Sequence, residues 1–196
     1  DISDSMIDAI GELPKVCEYL HFPLQSGSDR VLRRMKRYYT RARYMEIVAK
    51  MRAKKPGMAL STDIIVGFPG ETREDFDQTL SALKEVQFDM AFLFKYSVRK
   101  VTPAEKLGDD VPKKEKEARH LELLNLQNEI TLQRNLASVG QTVEVLVEGP
   151  SQSNPDRWAG RTRENKLAVF PQGTAKAGDI VRLKGEEATA YTLRCS

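Results

Sequence analysis

The chain has 196 residues, of which 40% are hydrophobic, and a formal net charge of +3; this is enough apolar content for one domain or two small ones, and too balanced a charge for the total to name a partner. Its two cysteines, Cys17 and Cys195, lack CxxC spacing, so neither a metal site nor a disulfide framework follows from them, and a reducing, cytoplasmic compartment fits best. No apolar run approaches bilayer-spanning length and no signal peptide is visible, so no membrane partner is expected.

In chain order, Ile2, Met6, Ile7 and Ile10 are spaced for a short amphipathic helix that stops at Gly11 and Pro14. A strand over Tyr19–Leu24 runs into the small polar loop Gln25-Ser26-Gly27-Ser28, where Ser28 can cap the next helix, whose buried stripe is Val31, Leu32 and Met35. A second helix over Arg43–Ala53 turns Tyr44, Ile47, Val48 and Met51 inward. Between Arg30 and Lys55, eleven Lys or Arg stand against one acid, Glu46, a block that suits a polyanion or a solvated helical face.

The most informative stretch is Ser61–Thr72. Ile64-Ile65-Val66 reads as a strand covered on both faces, which is the habit of parallel sheets. Gly67, Pro69 and Gly70 stop it, and Thr72 with Asp75 opens a helix in capping-box fashion. Asp63 is out of place in so apolar a strand and needs a donor from a neighbouring strand or from a ligand. Ligands sit in the loops at strand C-terminal ends of such folds. A further strand over Met90–Tyr96 completes helix, strand, helices, strand, helix, strand: repeated βα units of a parallel sheet or part of a barrel. Three parallel strands leave two edges, and the chain starts with Asp1 rather than Met. Both features lead to the expectation that earlier strands of a larger α/β domain lie outside it, and that the bared edge at Tyr19–Leu24 self-associates.

A long helix is expected from Pro112 to Ala137, with proline in its first turn. From Gly140 the pattern changes to period two, with Val143, Val145 and Val147 on one side. Short strands at Leu167–Phe170, Ile180–Leu183 and Thr189–Leu193 complete a small β-barrel of a kind that often binds nucleic acid. Arg157, Trp158, Arg161, Arg163 and Lys166 read as a basic loop with one aromatic, suited to phosphates and unstacked bases.

His21-Phe22-Pro23-Leu24-Gln25-Ser26-Gly27-Ser28-Asp29, Met35-Lys36-Arg37, Thr62–Thr72, Tyr96-Ser97 with Arg99, Thr102-Pro103-Ala104, and Leu126–Ile130 followed by Val139–Gly149 resemble the radical-SAM methylthiotransferase family, in order and over nearly the whole chain. Gly160–Asn165 and Phe170-Pro171 look most like its tRNA branch. The resemblance implies an α/β fold: half of a partial (β/α) barrel, three parallel strands with helices and a long linking helix over residues 1–138, then a small all-β TRAM barrel over 139–196. It implies a transferase that uses S-adenosyl-L-methionine (SAM) and two 4Fe–4S clusters to insert sulfur into, and transfer methyl to, the isopentenyl-adenosine beside the anticodon. The cluster cysteines of the family are absent from this sequence, so the chain alone is expected to be inactive and no catalytic residue is nominated. The resemblance further implies that Gln25, Ser26, Ser28, Asp63, Ile65 and Gly67 line the SAM cleft. Contact with a tRNA anticodon stem-loop is expected from Arg33, Arg34, Lys36, Arg37 and Arg41 and from Arg157, Trp158, Arg161, Arg163 and Lys166. Two other readings share these features: a relative acting on a ribosomal protein, and an RNA-binding module without catalysis. The sequence departs from the family pattern at Tyr38, where glycine is usual, and at Val98 and Val101, where proline and glycine are usual.

Overall fold

A computed structural model of the chain describes residues 2–196. The first half alternates helices and strands: α1 (Asp4–Glu12), β1 (Tyr19–His21), α2 (Asp29–Arg34), α3 (Arg41–Lys54), β2 (Ala59–Val66), α4 (Arg73–Val86) and β3 (Met90–Lys95). The strands form a parallel sheet in the order β1-β2-β3. One face of β2 packs Leu60, Ile64 and Val66, all fully buried, onto helices that supply Tyr44, Ile47, Phe76 and Leu83. The other face carries Ser61, Asp63 and Ile65, with Phe92 and Phe94 of β3 in register beside the last two.

Helix starts follow the capping chemistry of the sequence. Ser3, Ser28, Thr40 and Thr72 each accept from a first-turn backbone N–H, and Thr72 with Asp75 forms a complete capping box. Strand β1 is shorter than expected. After Phe22, whose N–H still reaches the Ser61 carbonyl at 2.8 Å, Pro23 has no N–H for the ladder. Leu24 N instead donates to the Thr62 side chain at 2.8 Å.

Helix α5 (Lys113–Leu136) has 24 residues, roughly 36 Å at ~1.5 Å per residue. Pro112 is its N-cap and not its first-turn residue. The buried face of α5 carries polar as well as apolar side chains, Lys116, Arg119, Leu123, Gln127 and Ile130. Each of these polar side chains makes at least one bond: Lys116 bonds Asp109 and the Tyr96 carbonyl, Arg119 pairs with Glu71 at 2.7 Å, and Gln127 donates to the Phe88 carbonyl at 2.8 Å, while Arg119 Nε and Gln127 Oε1 stay unpaired. Burial without such partners is costly.

Beyond α5, strands β4 (Thr142–Pro150), β5 (Arg157–Thr162), β6 (Leu167–Pro171), β7 (Ile180–Ala188) and β8 (Leu193–Cys195) close a barrel in the order β4-β5-β6-β8-β7. Val145, Val147, Ala168, Phe170, Leu193 and Cys195 fill it. Two expectations are corrected here. Arg157–Thr162 is a barrel strand, paired on both sides, and not a loop. The last strand is Leu193–Cys195, because Thr189 and Thr192 instead close a tight turn on each other.

Candidate functional site

The loop after β1 is pinned against α4 by three contacts. A Cβ on Gly27 would run into the backbone of Gln78 and Thr79, so only glycine lets the loop lie this close to α4. Gly27 N donates to Thr79 Oγ1 at 2.9 Å, and Ser28 Oγ donates to Asp75 Oδ1 at 2.6 Å. Ser26 and Ser28 are each 1% exposed; their hydroxyls face α4 and are spent on holding the loop. Burial opposes ionisation of Asp75, but bonds from Arg30, Ser28 and Thr72 outweigh it and hold the carboxyl well below its usual range.

Gln25 differs from its neighbours. It adopts a left-handed φ of 67°, and its side chain lines a cleft of about 510 Å³ at the C-terminal ends of the strands. Asp63 and Ile65 line the same cleft, with Phe94 on β3 and Tyr96 just after it, and Arg37 and Arg99 on the rim. This volume lies within the usual range for small-molecule sites. Behind the cleft, His21 Nε2 stands 3.5 Å from Asp63 Oδ2, and His21 Nδ1 and Tyr19 OH meet Ser61 Oγ at 2.8 and 2.6 Å. The nearest polar neighbour of the partly exposed Asp63 carboxylate is thus this histidine of the neighbouring strand, seated edge-on against Phe92, and no donor within the described residues bonds the carboxylate directly. Gly67, at φ 69°, sits against the Lys116 side chain, and its N–H donates to Glu71 Oε1 at 3.0 Å. It shapes the turn beside the cleft and is buried behind it.

Tyr96, Arg99 and Phe94 were not singled out for the cleft by sequence, although their place at the C-terminal end of a βα strand is a usable signal. Arg37, expected among RNA contacts, lines this cleft as well. Val101, in the adjoining segment, holds φ 68° while 97% exposed, a strained conformation for a β-branched residue.

The basic residues divide by engagement. Arg33, Lys36 and Arg37 are exposed. Arg34 Nε donates to the Pro69 carbonyl at 2.9 Å, and Arg41 pairs with Glu85 at 2.7 Å. In the barrel, Arg161 bonds the Asn165 carbonyl and stands 3.7 Å from Glu148. Arg157 is half-buried, and Trp158 packs against the barrel core. Arg163 pairs with Glu18 at 2.6 Å, and Lys166 donates to the Arg134 carbonyl at 2.6 Å.

Residues 1–83 match the family model described as the Radical SAM superfamily, and residues 137–196 match the TRAM domain. The chain thus joins a segment similar to the Radical SAM superfamily to one similar to the TRAM domain. Two curated relatives, both named tRNA-2-methylthio-N(6)-dimethylallyladenosine synthase, are similar over nearly all of it. The one from Moorella thermoacetica is 47% identical over 194 residues, which is 99% of this chain and 44% of the relative. The one from Methylacidiphilum infernorum is 46% identical over 190 residues, 97% of this chain and 41% of the relative. The chain thus spans less than half the length of these relatives. Among solved structures, Escherichia coli coproporphyrinogen III oxidase, described as a Radical SAM enzyme, superposes on 75% of this chain and 41% of its own with a TM-score of 0.47 and 15% identity. No helix is long and apolar enough to cross a membrane among the described residues.

Proposed function

We propose that this chain supplies the SAM cleft rim and the TRAM domain of a radical-SAM methylthiotransferase acting on tRNA at the adenosine beside the anticodon. The domains divide near residue 138, between α5 and the TRAM barrel. The observation that carries the reading is the cleft at the ends of three parallel strands, where Gln25, Asp63 and Ile65 converge.

The donor set of this cleft fits SAM. Arg37 and Arg99 offer cations to a carboxylate, the Gln25 amide and the Asp63 carboxylate offer acceptors to an ammonium or a ribose, and Ile65 and Phe94 offer an apolar bed for a nucleobase. When bound, SAM supplies the transferable methyl group and the radical chemistry. The protein's part is positional: backbone bonds to β2 fix Gln25, and His21 with Ser61 orients Asp63. Iron–sulfur clusters need thiolate ligands. The residues present do not fit one: Cys17 is exposed on the loop before β1, Cys195 is buried in the TRAM barrel, and no cluster of three or more His, Cys, Asp or Glu suited to a metal occurs among the described residues.

For RNA, the exposed cations beside the cleft, Arg33, Lys36 and Arg37, supply phosphate contacts, with Arg157 and Arg161 on the TRAM strand as a second set. The test is anaerobic incubation of the chain with iron and sulfide, followed by SAM and by an anticodon stem-loop. The expected result is retention of SAM and RNA without a stoichiometric 4Fe–4S absorption or release of 5′-deoxyadenosine. Cluster formation on this chain, or failure to retain both SAM and RNA, overturns the reading.

A further inference from the structure

The turn between β5 and β6 carries two half-buried cations that reach into the other domain. The turn is stiff: Thr162 N donates to the Lys166 carbonyl at 3.0 Å, Asn165 N donates to the Thr162 carbonyl at 2.9 Å, and Asn165 holds φ 61°. From it, Arg163 reaches the segment leading into β1. Its Nε donates to Glu18 Oε2 at 2.6 Å, and Nη2 donates to the carbonyls of Val16 at 2.9 Å and Pro14 at 3.0 Å. Glu18 is itself held, by Lys55 at 3.0 Å and by its own carbonyl, which accepts from Ala59 N at 2.9 Å.

Three residues on, Lys166 Nζ donates to the Arg134 carbonyl at 2.6 Å and to Ser138 Oγ at 3.1 Å. It caps the C-terminal end of α5, where carbonyls are unsatisfied and a cation is favoured. The Arg134 side chain in turn forks onto Asp89 at 2.9 and 3.2 Å, and Asp89 accepts from Leu60 N of β2 at 2.9 Å. The two cations of one short turn therefore grip the sheet domain at both ends, the entry to β1 and the exit of α5.

We propose that this turn is a docking element that fixes the TRAM barrel on the sheet domain, and that Arg163 is a positioning residue rather than a contact to RNA phosphate. A planar guanidinium can serve a carboxylate and two carbonyls at once, which a lysine ammonium on a flexible stem does not reproduce. With the turn docked, the TRAM strands keep a set distance from the cleft, so a bound RNA meets both surfaces as one rigid receptor. The docking stands on the contacts alone; its consequence for RNA rests on the function proposed above.

The test uses the full 196-residue chain. Residual dipolar couplings should fit one alignment tensor for both domains of the unsubstituted chain, and two for the Arg163→Ala/Lys166→Ala variant, with both domains still folded. Glu18→Gln, made from the other side of the contact, should loosen the pair as Arg163→Ala does, and Arg163→Lys should not restore it. For a synthetic anticodon stem-loop, Arg163→Ala should leave the slope of log affinity against log salt unchanged, because no phosphate contact is lost. A single shared tensor in both the double variant and Glu18→Gln overturns the docking. A slope reduced by about one unit in Arg163→Ala overturns the positioning role. If the unsubstituted chain binds no RNA, the functional reading fails while the dipolar couplings still decide the docking.

Discussion

Gln25 and Asp63 are joined backbone to backbone. Gln25 N donates to the Asp63 carbonyl at 2.8 Å, and the Gln25 carbonyl accepts from Ile65 N at 3.0 Å. The polar loop after β1 is thereby stitched onto the central strand, and these two polar side chains of the cleft share one rigid frame. The cost is a left-handed φ of 67° at a residue with a side chain, strain of order 1–3 kcal/mol that the surrounding bonds sustain.

This separates backbone from side chain at Gln25. Gln25→Gly should leave thermal stability unchanged or slightly raised, since glycine takes this φ freely. Gln25→Ala should keep the strain. Both should lose SAM affinity alike, because both remove the amide. Thermal denaturation with ligand titration of the two variants checks this.

Ser28→Ala should destabilise the chain by about 1–3 kcal/mol, since it removes a helix cap and a buried bond to Asp75. Its effect on SAM affinity should be small, because the hydroxyl faces α4. Urea denaturation paired with ligand titration separates the two.

Asp75 also sets an acid limit. Its carboxyl is held below its unfolded value, so its stabilisation is fully present above the ordinary carboxylate range near pH 4 and is lost as pH falls through that range toward its lower folded value. Glu18, lowered by Arg163 and Lys55 against the opposing effect of its burial, adds in the same direction. Stability measured from pH 6 down to 2 should fall, and the fall should be shallower in Asp75→Asn.

Much of the sheet domain is legible in the sequence for local reasons. The β-branched run at Ile64–Val66, the glycines after it and the Thr72–Asp75 box state strand, turn and helix within a dozen positions. What is not legible is which way a polar side chain points. Ser26 and Ser28 sit in the same short loop as Gln25, yet face α4, because Gly27 lets the loop press against Thr79. Arg163 and Lys166 look like free cations until the fold brings Glu18 and Arg134 to them from far along the chain. Arg157–Thr162 hides as a strand because two of its outward residues, Arg157 and Arg161, are charged and its inward ones include Gly160 and Thr162, so no apolar alternation marks it.

Val101 offers a test of backbone strain. It holds φ 68° and is 97% exposed. Val101→Gly should raise stability by roughly 1 kcal/mol, the relief of strain exceeding the entropy that glycine adds to the unfolded chain. A rise in the denaturation midpoint checks it.

For RNA, charge removal at Arg33, Lys36 and Arg37 should each reduce the salt slope of stem-loop binding by about one unit. Arg41→Ala and Arg34→Ala should change it less, since Glu85 and the Pro69 carbonyl already engage them. Filter binding over a salt series reads this directly. Unchanged slopes at all three exposed positions would favour a protein substrate.

In the proposed function, the cleft at the strand ends receives SAM through Asp63 and Gln25. Amide and methyl NMR of the chain titrated with SAM up to about millimolar concentration, the range of weak small-molecule binding, tests it most directly. The predicted result is saturable shifts confined to Gln25, Asp63, Ile65, Phe94 and Tyr96, weakened about tenfold or more in Asp63→Asn, with the denaturation midpoint nearly unchanged. Shifts centred elsewhere, or a loss of stability in Asp63→Asn matching its loss of binding, would contradict it.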